Sequence, residues 1–593
     1  MVCLRKRSMA SSTLVTMTDA AGSSNDHVYE KLQLKQSSTL IQVVALEGFV
    51  NERDDSGFVQ EYNKLSQTEM SSSVVSSRPE NKDKNRSKNI RPYDHNRVVL
   101  DTDSDNPSDY INASHISGHS GNSYVACQGP LKTTVSQMWR MIWQLNTNRI
   151  VMLTQLEEKG MVKCDIYWPL IIGTQKVYDN VTVTTLSCDT YADYIIRTFR
   201  ITCQGESRSV FHFQFTSWLN KQVPVYTYPL LAFRRLIRSF DDQSTGPMVV
   251  HCSGGVGQTG TFIALDSLLD QGHTEGHVDV FRCVERTRTE RVNMVQTQDQ
   301  YVFLYHALLD GLQTGHLAYP VSQFHSLCKI LCEDDVNLTQ LREQFQMLEK
   351  LKPPRPAPSC AALQKTNQAK NKNLDIIPDD KNRPHLLTKY PGTNDYINAV
   401  FVDSYRRYRG YLLTQMPLSN TAVDLWRLIL DHRCPTIILL DQMDTQNAPY
   451  WPREGEKKTF GCLTVELLSE QPCSVPGVIK RELRVYITAK ANYSHGVKQY
   501  QLAVGWPNTD RLPTDTTTFL SLVELVNLQL SNEVNTGPVI LQCTNGASRS
   551  GLFCAASHLL GSLTVDHYVD VFHSTQHVRN KRPQVIDSVV RLS

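Results

Sequence analysis

The sequence predicts an α/β (α+β) protein built from two tandem copies of one domain, each around a central sheet. Three observations carry this. Six short motifs recur in the same order, short apolar β-branched runs lie between amphipathic stretches, and in each copy an apolar run ends on a cysteine that opens a loop of small residues.

The recurrence sets the domain count. Asp109-Tyr-Ile-Asn-Ala113 returns as Asp395-Tyr-Ile-Asn-Ala399, Gln128-Gly-Pro-Leu131 as Gln415-Met-Pro-Leu418, and Trp139-Arg140 as Trp426-Arg427. Tyr167-Trp-Pro169 returns as Tyr450-Trp-Pro452, Ser217-Trp218 as Gly505-Trp506, and Gly246-Pro-Met-Val-Val-His-Cys252 as Gly537-Pro-Val-Ile-Leu-Gln-Cys543. The spacing is far too long for a solenoid repeat, so a whole domain is duplicated. The first copy spans residues 57–315 and the second 319–593. Residues 1–56, mixed and Ser/Thr-rich, read as a disordered or juxtamembrane-like tail. From Asp335 to Leu351 apolar residues fall at helical spacing (Leu338, Leu341, Phe345, Leu348, Leu351) until Pro353-Pro-Arg-Pro stops them, which predicts a helix opening the second copy.

Strands are expected at Arg149–Leu153, Val181–Thr185, Val249–Val250 and Thr436–Leu440, and helices at Thr134–Gln144 and Phe262–Leu269. The net charge of +2 gives no electrostatic case for nucleic acid. The 15 cysteines are scattered without a Cys-x-x-Cys pair, the closest being Cys328 and Cys332, which reads as reduced thiols with no metal site. No cofactor is expected. No apolar run approaches the roughly 20 residues of a membrane helix. The lysines and arginines from Lys82 to Arg86 read as a solvated face.

The chemistry gathers at the two cysteines. Pro247 to Val250 reads as a buried strand, Cys252 follows His251, and Ser253-Gly254-Gly255-Val256-Gly257-Gln258-Thr-Gly260 leads into an apolar helix. Strand, glycine loop and helix turn backbone N–H groups toward one point, an anion nest. A cysteine there has a lowered pKa, and its thiolate is suited to attack a phosphate ester. Taken alone, a cysteine is more often a small buried hydrophobe; the loop and the duplication change that reading. The second copy carries Gln542-Cys543-Thr544-Asn545-Gly546-Ala547-Ser548-Arg549.

His251-Cys252-Ser-Gly-Gly-Val-Gly-Gln-Thr-Gly260 resembles the signature loop of protein tyrosine phosphatases. So do Tyr110-Ile-Asn-Ala113, Gln128-Gly-Pro130, Lys163-Cys-Asp-Ile-Tyr-Trp-Pro169, Phe213-Gln-Phe-Thr-Ser-Trp218 and Val292-Asn-Met-Val-Gln-Thr297. The paired layout is similar to the cytoplasmic half of receptor-type tyrosine phosphatases. The resemblance implies a twisted mixed sheet flanked by helices in each copy, a first domain that usually carries the activity, phosphotyrosine proteins as partners, contact between the two domains, and a cytoplasmic location, membrane-attached where the chain is the intracellular part of a longer receptor. It also implies roles: Cys252 and Cys543 as nucleophiles, Arg549 as the phosphate clamp, and Gln296 and Gln300 as water-positioning residues.

The departures are specific. The family places Arg six residues after the cysteine; the first copy has Gln258, a neutral amide in place of a charged fork. The family's mobile loop reads Trp-Pro-Asp, its Asp protonating the leaving oxygen; here Asn220 and Asn508 stand at the acid positions, and Asp510 is two residues off. Ser87 and Asn373 stand where a tyrosine walls the family pocket. In the second copy Gln542 replaces the family His, Asp587 and Arg591 replace the glutamines, and the chain ends at Ser593, before the family's closing helix. Three readings follow: a catalytically impaired pseudophosphatase that binds phosphotyrosine proteins or scaffolds, a slow but genuine phosphatase working through a cysteinyl-phosphate, and a structural interaction module that does not use its pockets.

Overall fold

The computed structural model describes residues 39–53, 55–65, 71–104, 106–218, 222–240, 246–314, 317–324, 326, 335–350, 358–442, 450–491, 494–503, 506, 512–532, 537–565 and 567–588. Residues 41–593 form one compact unit.

Two helices, α1 (Leu46–Glu52) and α2 (Asp55–Tyr62), precede the first sheet. For residues 41–56 the reading as a tail is corrected, because Ile41, Leu46 and Val50 are buried in the first core; residues 1–38 lie outside the described residues. Leu46, Phe49 and Val50 fall at helical spacing, but over a single turn, and it is α7 that packs against both helices. The first sheet has nine strands: β1 (Arg97–Val99), β2 (Tyr110–Ser117), β3 (Ser123–Cys127), β4 (Arg149–Met152), β5 (Gln175–Tyr178), β6 (Val181–Thr190), β7 (Tyr194–Cys203), β8 (Glu206–Phe215) and β9 (Met248–His251). Their order across the sheet is β1-β2-β3-β9-β4-β8-β7-β6-β5. Strand β9 lies parallel to β3 and β4, and β4 parallel to β8. The helices are α3 (Val135–Gln144), α4 (Tyr228–Ser239), α5 (Gly257–Glu275), α6 (Val280–Glu290) and α7 (Gln298–Thr314).

The second sheet repeats this plan with β10 (Ala399–Val402), β11 (Tyr411–Gln415), β12 (Thr436–Leu439), β13 (Lys457–Phe460), β14 (Leu463–Pro472), β15 (Val478–Ile487), β16 (Ser494–Leu502) and β17 (Val539–Cys543), ordered β10-β11-β17-β12-β16-β15-β14-β13. Its helices are α8 (Asp335–Lys350), α9 (Ala422–Asp431), α10 (Thr516–Asn532), α11 (Ser548–Val565) and α12 (Val571–Arg579). Both sheets are mixed and flanked by helices. In each, successive residues of the central strand alternate between two cores: Val250 faces α5 and α7, and Val249 faces α3. Leu348 of α8 joins the second core. Among the described residues no helix is long and apolar enough to cross a membrane.

Residues of the two sheets' surroundings also meet each other. The hydroxyls of Tyr194 and Tyr405 lie 2.6 Å apart, Tyr226 donates to the Asn580 carbonyl at 2.9 Å, and Arg235 pairs with Asp570 at 2.9 Å.

The helix behind the first cysteine loop is clamped by charge. Asp266 of α5 is buried and takes Arg234 at 2.5 Å, Arg238 at 2.6 Å and the Tyr124 hydroxyl at 2.6 Å. Burial pushes its carboxyl up, but the two guanidinium groups of α4 outweigh burial and hold it below the usual carboxylate range. Its stabilising contribution is therefore complete above the unfolded-chain value of about 3.9 and is lost as the pH falls through the lower folded value. Asp266→Ala opens a buried void and leaves Arg234 and Arg238 with Asp270 as their remaining carboxylate, and a loss of about 1–3 kcal/mol is expected. Denaturant unfolding at neutral pH should show that loss, and the difference from the unaltered protein should shrink in strong acid.

Candidate phosphate-binding loops at Cys252 and Cys543

Both cysteines stand at the C-terminal end of the central parallel strand, where open α/β sheets leave a crevice. Cys252 follows β9 directly, and Cys543 is the last residue of β17. Both are buried. Each loop then makes a left-handed turn at a glycine pressed onto the neighbouring strand. Gly255 has φ of +73°, and a Cβ there would lie 2.2 Å from the Cys127 carbonyl oxygen; Gly546 has φ of +69°, and a Cβ would lie 2.5 Å from the Gln415 amide. Glycine alone satisfies both the angle and the space. The turn aims the Gly255 N–H at the Cys252 sulfur, 3.2 Å away, and α5 begins two residues later with its N-terminal dipole toward the loop.

A buried arginine stands near each loop, and in the first copy it bonds the loop's own carbonyls. Arg291 donates through Nε to the Gly255 carbonyl (2.8 Å) and through Nη2 to Gly254 (3.3 Å) and Asn112 Oδ1 (2.7 Å). Arg582 makes the matching bond to Asn398 Oδ1 at 2.8 Å, and burial pushes it down to about 10. Elsewhere in the first loop, the Ser253 carbonyl accepts from Gly129 and the Val256 carbonyl from Gly260 and Val295. Gln300 Oε1 accepts the Gln296 N–H at 3.0 Å, and its amide lies so close to Gly257 that a Cβ there would meet it at 3.0 Å.

The sixth residue after each cysteine reaches back to a buried tryptophan. Gln258 donates to the Trp218 carbonyl at 2.9 Å, while its buried Oε1 has no hydrogen-bond partner among the described residues. Arg549 reaches the Trp506 carbonyl at 3.4 Å and packs over that ring, but its guanidinium also pairs with Asp441 Oδ1 at 2.7 Å. The acid positions Asn220 and Asn508 lie outside the described residues, as do Asp510, Arg591, Cys328 and Cys332. Ser87 and Asn373 play one local part in the two copies: each accepts a backbone N–H two residues on, from Asn89 and Asp375. Arg86, read as part of a solvated face, instead donates to the Gly129 and Pro130 carbonyls.

The Gln542 departure is not damage to the packing. In the first copy Arg197 donates to His212 Nδ1 at 3.3 Å, so His212 carries its proton on Nε2 and donates it to the Tyr167 hydroxyl. Tyr167 donates in turn to His251 Nε2, whose Nδ1–H points at the Cys252 carbonyl. Burial pushes His251 down to about 4 and drives His212 down as well, so both rings are neutral, as this chain of bonds requires. In the second copy Arg481 donates to Gln499, Gln499 to Tyr450, Tyr450 to Gln542, and Gln542 to the Gln415 carbonyl. Two histidines have become two glutamines together, and the direction of donation is kept.

A family model described as protein-tyrosine phosphatase matches residues 81–310 and 367–592. The chain belongs to the protein-tyrosine phosphatase family. It is 36% identical over 568 residues to receptor-type tyrosine-protein phosphatase alpha of Homo sapiens, covering 93% of this chain and 70% of that one. It is 34% identical over 545 residues to receptor-type tyrosine-protein phosphatase U of Gallus gallus, 90% of this chain and 37% of the relative. It is 35% identical over 544 residues to tyrosine-protein phosphatase Lar-like of Caenorhabditis elegans, 90% and 24%. The chain thus spans well under half the length of the chicken and worm relatives. It is a homologue of receptor-type tyrosine phosphatases with two phosphatase domains in tandem.

Sequence reasoning passed over Arg291, Arg582 and Asp441. A signal existed for the arginines, which fall the same distance after their cysteines. For the relay, His251→Leu removes the acceptor of the Tyr167 hydroxyl proton and the ring N–H that faces the Cys252 carbonyl, at an expected cost of about 1–3 kcal/mol. His212→Gln with His251→Gln, which copies the second domain, should cost less than the sum of the single changes in a double-mutant cycle read by denaturation. Strict additivity would show that the relay is not coupled.

Proposed function

We propose that this receptor-type phosphatase homologue acts in phosphotyrosine signalling as a catalytically impaired pseudophosphatase, binding phosphotyrosine proteins or serving as a scaffold. The observation that carries the reading is Gln258. The first loop keeps its cysteine, its glycine turn and its supporting arginine, yet at the clamp position it has a neutral amide engaged with Trp218. An Arg fork would neutralise charge gathering on the phosphoryl oxygens; an amide offers one neutral donor pair. Asn220 and Asn508 at the acid positions add to this, because an amide cannot protonate a leaving tyrosine oxygen. Loss of one charge-stabilising donor typically costs about 10²–10³ in rate, and loss of general acid catalysis about 10²–10⁴. The roles follow: Cys252 and the N–H groups from Ser253 to Gly257 receive a phosphoryl group, Gln296 and Gln300 flank it, and turnover does not complete. By the layout of its relatives the chain is assigned to the cytoplasm, membrane-attached where it forms the intracellular part of a longer receptor. The bonds between Tyr194 and Tyr405 and between Arg235 and Asp570 support the two domains working as one body.

A second reading, slow but genuine hydrolysis, is favoured by one observation: the second domain keeps Cys543 and Arg549 together. Phosphate release from a phosphotyrosine peptide separates the two. The full chain should release no more phosphate than its Cys252→Ser and Cys543→Ser variants, and Gln258→Arg with Asn220→Asp should raise release by at least about 10². Release by the unaltered chain that disappears in either serine variant would establish an enzyme and identify the domain responsible.

A further inference from the structure

The second loop keeps both residues that phosphate chemistry asks for, yet its guanidinium and two of its N–H groups already hold side-chain oxygens of the protein. Asp441 supplies one. Its Oδ1 pairs with Arg549 at 2.7 Å, both side chains being buried, and its Oδ2 accepts the Thr544 hydroxyl at 3.0 Å. One carboxylate therefore bridges the first residue after the cysteine and the sixth. Asn545 supplies the other. Its Oδ1 accepts the backbone N–H groups of Ala547 and Ser548, each at 3.0 Å, and lies 3.5 Å from the Cys543 sulfur. Its Nδ2 is tied to Ser548 Oγ at 2.8 Å, which fixes the amide in that orientation. A side-chain oxygen thus sits where the loop's N–H groups converge.

The first domain has neither device. Thr154 occupies the position of Asp441, after β4 as Asp441 follows β12, and Gly254 the position of Asn545. Gly254 has no side chain to fold into the nest, and a Cβ there would meet Ile90 at 3.1 Å. The closing groups are particular to the second loop.

We infer that the second loop is shut to phosphoryl groups by two of its own side chains, Asp441 neutralising Arg549 and Asn545 filling the N–H nest, so that phosphoryl recognition by this chain falls to the loop at Cys252. An incoming dianion at Cys543 would meet the carboxylate on the guanidinium it needs, and like charges at that separation repel strongly in a poorly hydrated site. It would also have to displace Asn545 from two backbone donors. Asp441 and Asn545 act here as closing groups, Arg549 and Thr544 hold Asp441 in place, and Cys543 retains thiol contacts to Asn545 and Ser550. This does not depend on whether the first domain turns over a substrate, because it concerns occupancy of the second loop alone.

The test is calorimetric titration of the full chain with tungstate, a phosphate-shaped dianion. Asp441→Thr with Asn545→Gly installs the first domain's residues. It should add one tungstate site per chain, or tighten binding at least about tenfold, equal to one pKa unit of interaction. Adding Arg549→Met to that variant should remove the gain. Asp441→Asn is nearly isosteric, keeps donors and acceptors toward Arg549 and Thr544, and guards against a folding defect in the double change; it should give a smaller gain of the same sign. In the otherwise unaltered chain, Arg549→Met should leave tungstate binding unchanged. Folded variants that bind tungstate as the unaltered chain does, or an unaltered chain that loses a tungstate site on Arg549→Met, would overturn the inference.

Discussion

A left-handed turn with no room for a side chain governs both loops. At Gly255 and Gly546 the backbone must take positive φ while lying against the last residues of the adjacent strand, the Cys127 carbonyl in one copy and the Gln415 amide in the other. That contact is what reverses the chain between strand and helix within a few residues and turns N–H groups inward. Everything else at the sites is arranged around it. Arg291 bonds the carbonyls of Gly254 and Gly255 on the outer side of the turn, so the amides are left on the inner side. The helix that follows can start at once, and its dipole falls on the same point. Substituting either glycine would therefore undo the loop through backbone geometry, with the cysteine untouched.

The buried relay behind the cysteine makes a related point about what is held fixed. In one copy two histidines transmit a hydrogen bond from Arg197 to the Cys252 carbonyl, and in the other two glutamines transmit one from Arg481 to the Gln415 carbonyl. Imidazole and carboxamide share what matters here, one donor and one acceptor on opposite sides of a flat group. Neither is asked to carry charge, since burial keeps His251 and His212 neutral. The two groups differ in reach and bend, so a lone exchange would keep donor and acceptor but misplace them against the tyrosine hydroxyl, which is why the two positions differ together.

Much of this was legible in the sequence, and the limits follow from physics. The duplication, the mixed α/β class and the strand–cysteine–loop–helix unit rest on local patterns of period two and 3.6, and these appear as β9, β17, α5 and α11. Positions 258 and 549 were marked by their spacing from the cysteines, and both do stand at the loop's end. Gln542 read as a loss because its compensating neighbour, Gln499, is distant in sequence and adjacent only across the sheet. Asp441 was invisible for the same reason: it ends a strand beside the loop, and nothing local in Leu-Leu-Asp-Gln distinguishes it from an ordinary turn carboxylate. Residues 41–56 were assigned to a tail because the stretch 1–56 is mixed and Ser/Thr-rich, while the burial of Ile41, Leu46 and Val50 is decided by elements distant in sequence. Local signals fix elements; long-range pairings fix which polar groups are neutralised.

The residue six places after each cysteine separates two roles that one side chain can combine. Arg549 and Gln258 both donate to the carbonyl of a buried tryptophan, Trp506 and Trp218. That tether needs an N–H at the right reach and no charge, so glutamine fulfils it. Clamping a phosphoryl dianion needs the charge as well, and glutamine cannot supply it. The first domain thus keeps the tether and gives up the charge by substitution. The second keeps the charge but commits it to Asp441, a partner buried as deeply as Arg549 itself. Burial outweighs the pull of Arg549 and Thr544 and leaves the Asp441 carboxyl above its usual range, so the buried pair is held at a cost. By different means both loops preserve the folded shape of a phosphate site while reducing its net pull on an anion. On the proposed reading the nest beside Cys252 is left to do the binding in the first domain, while in the second Asn545 occupies the nest.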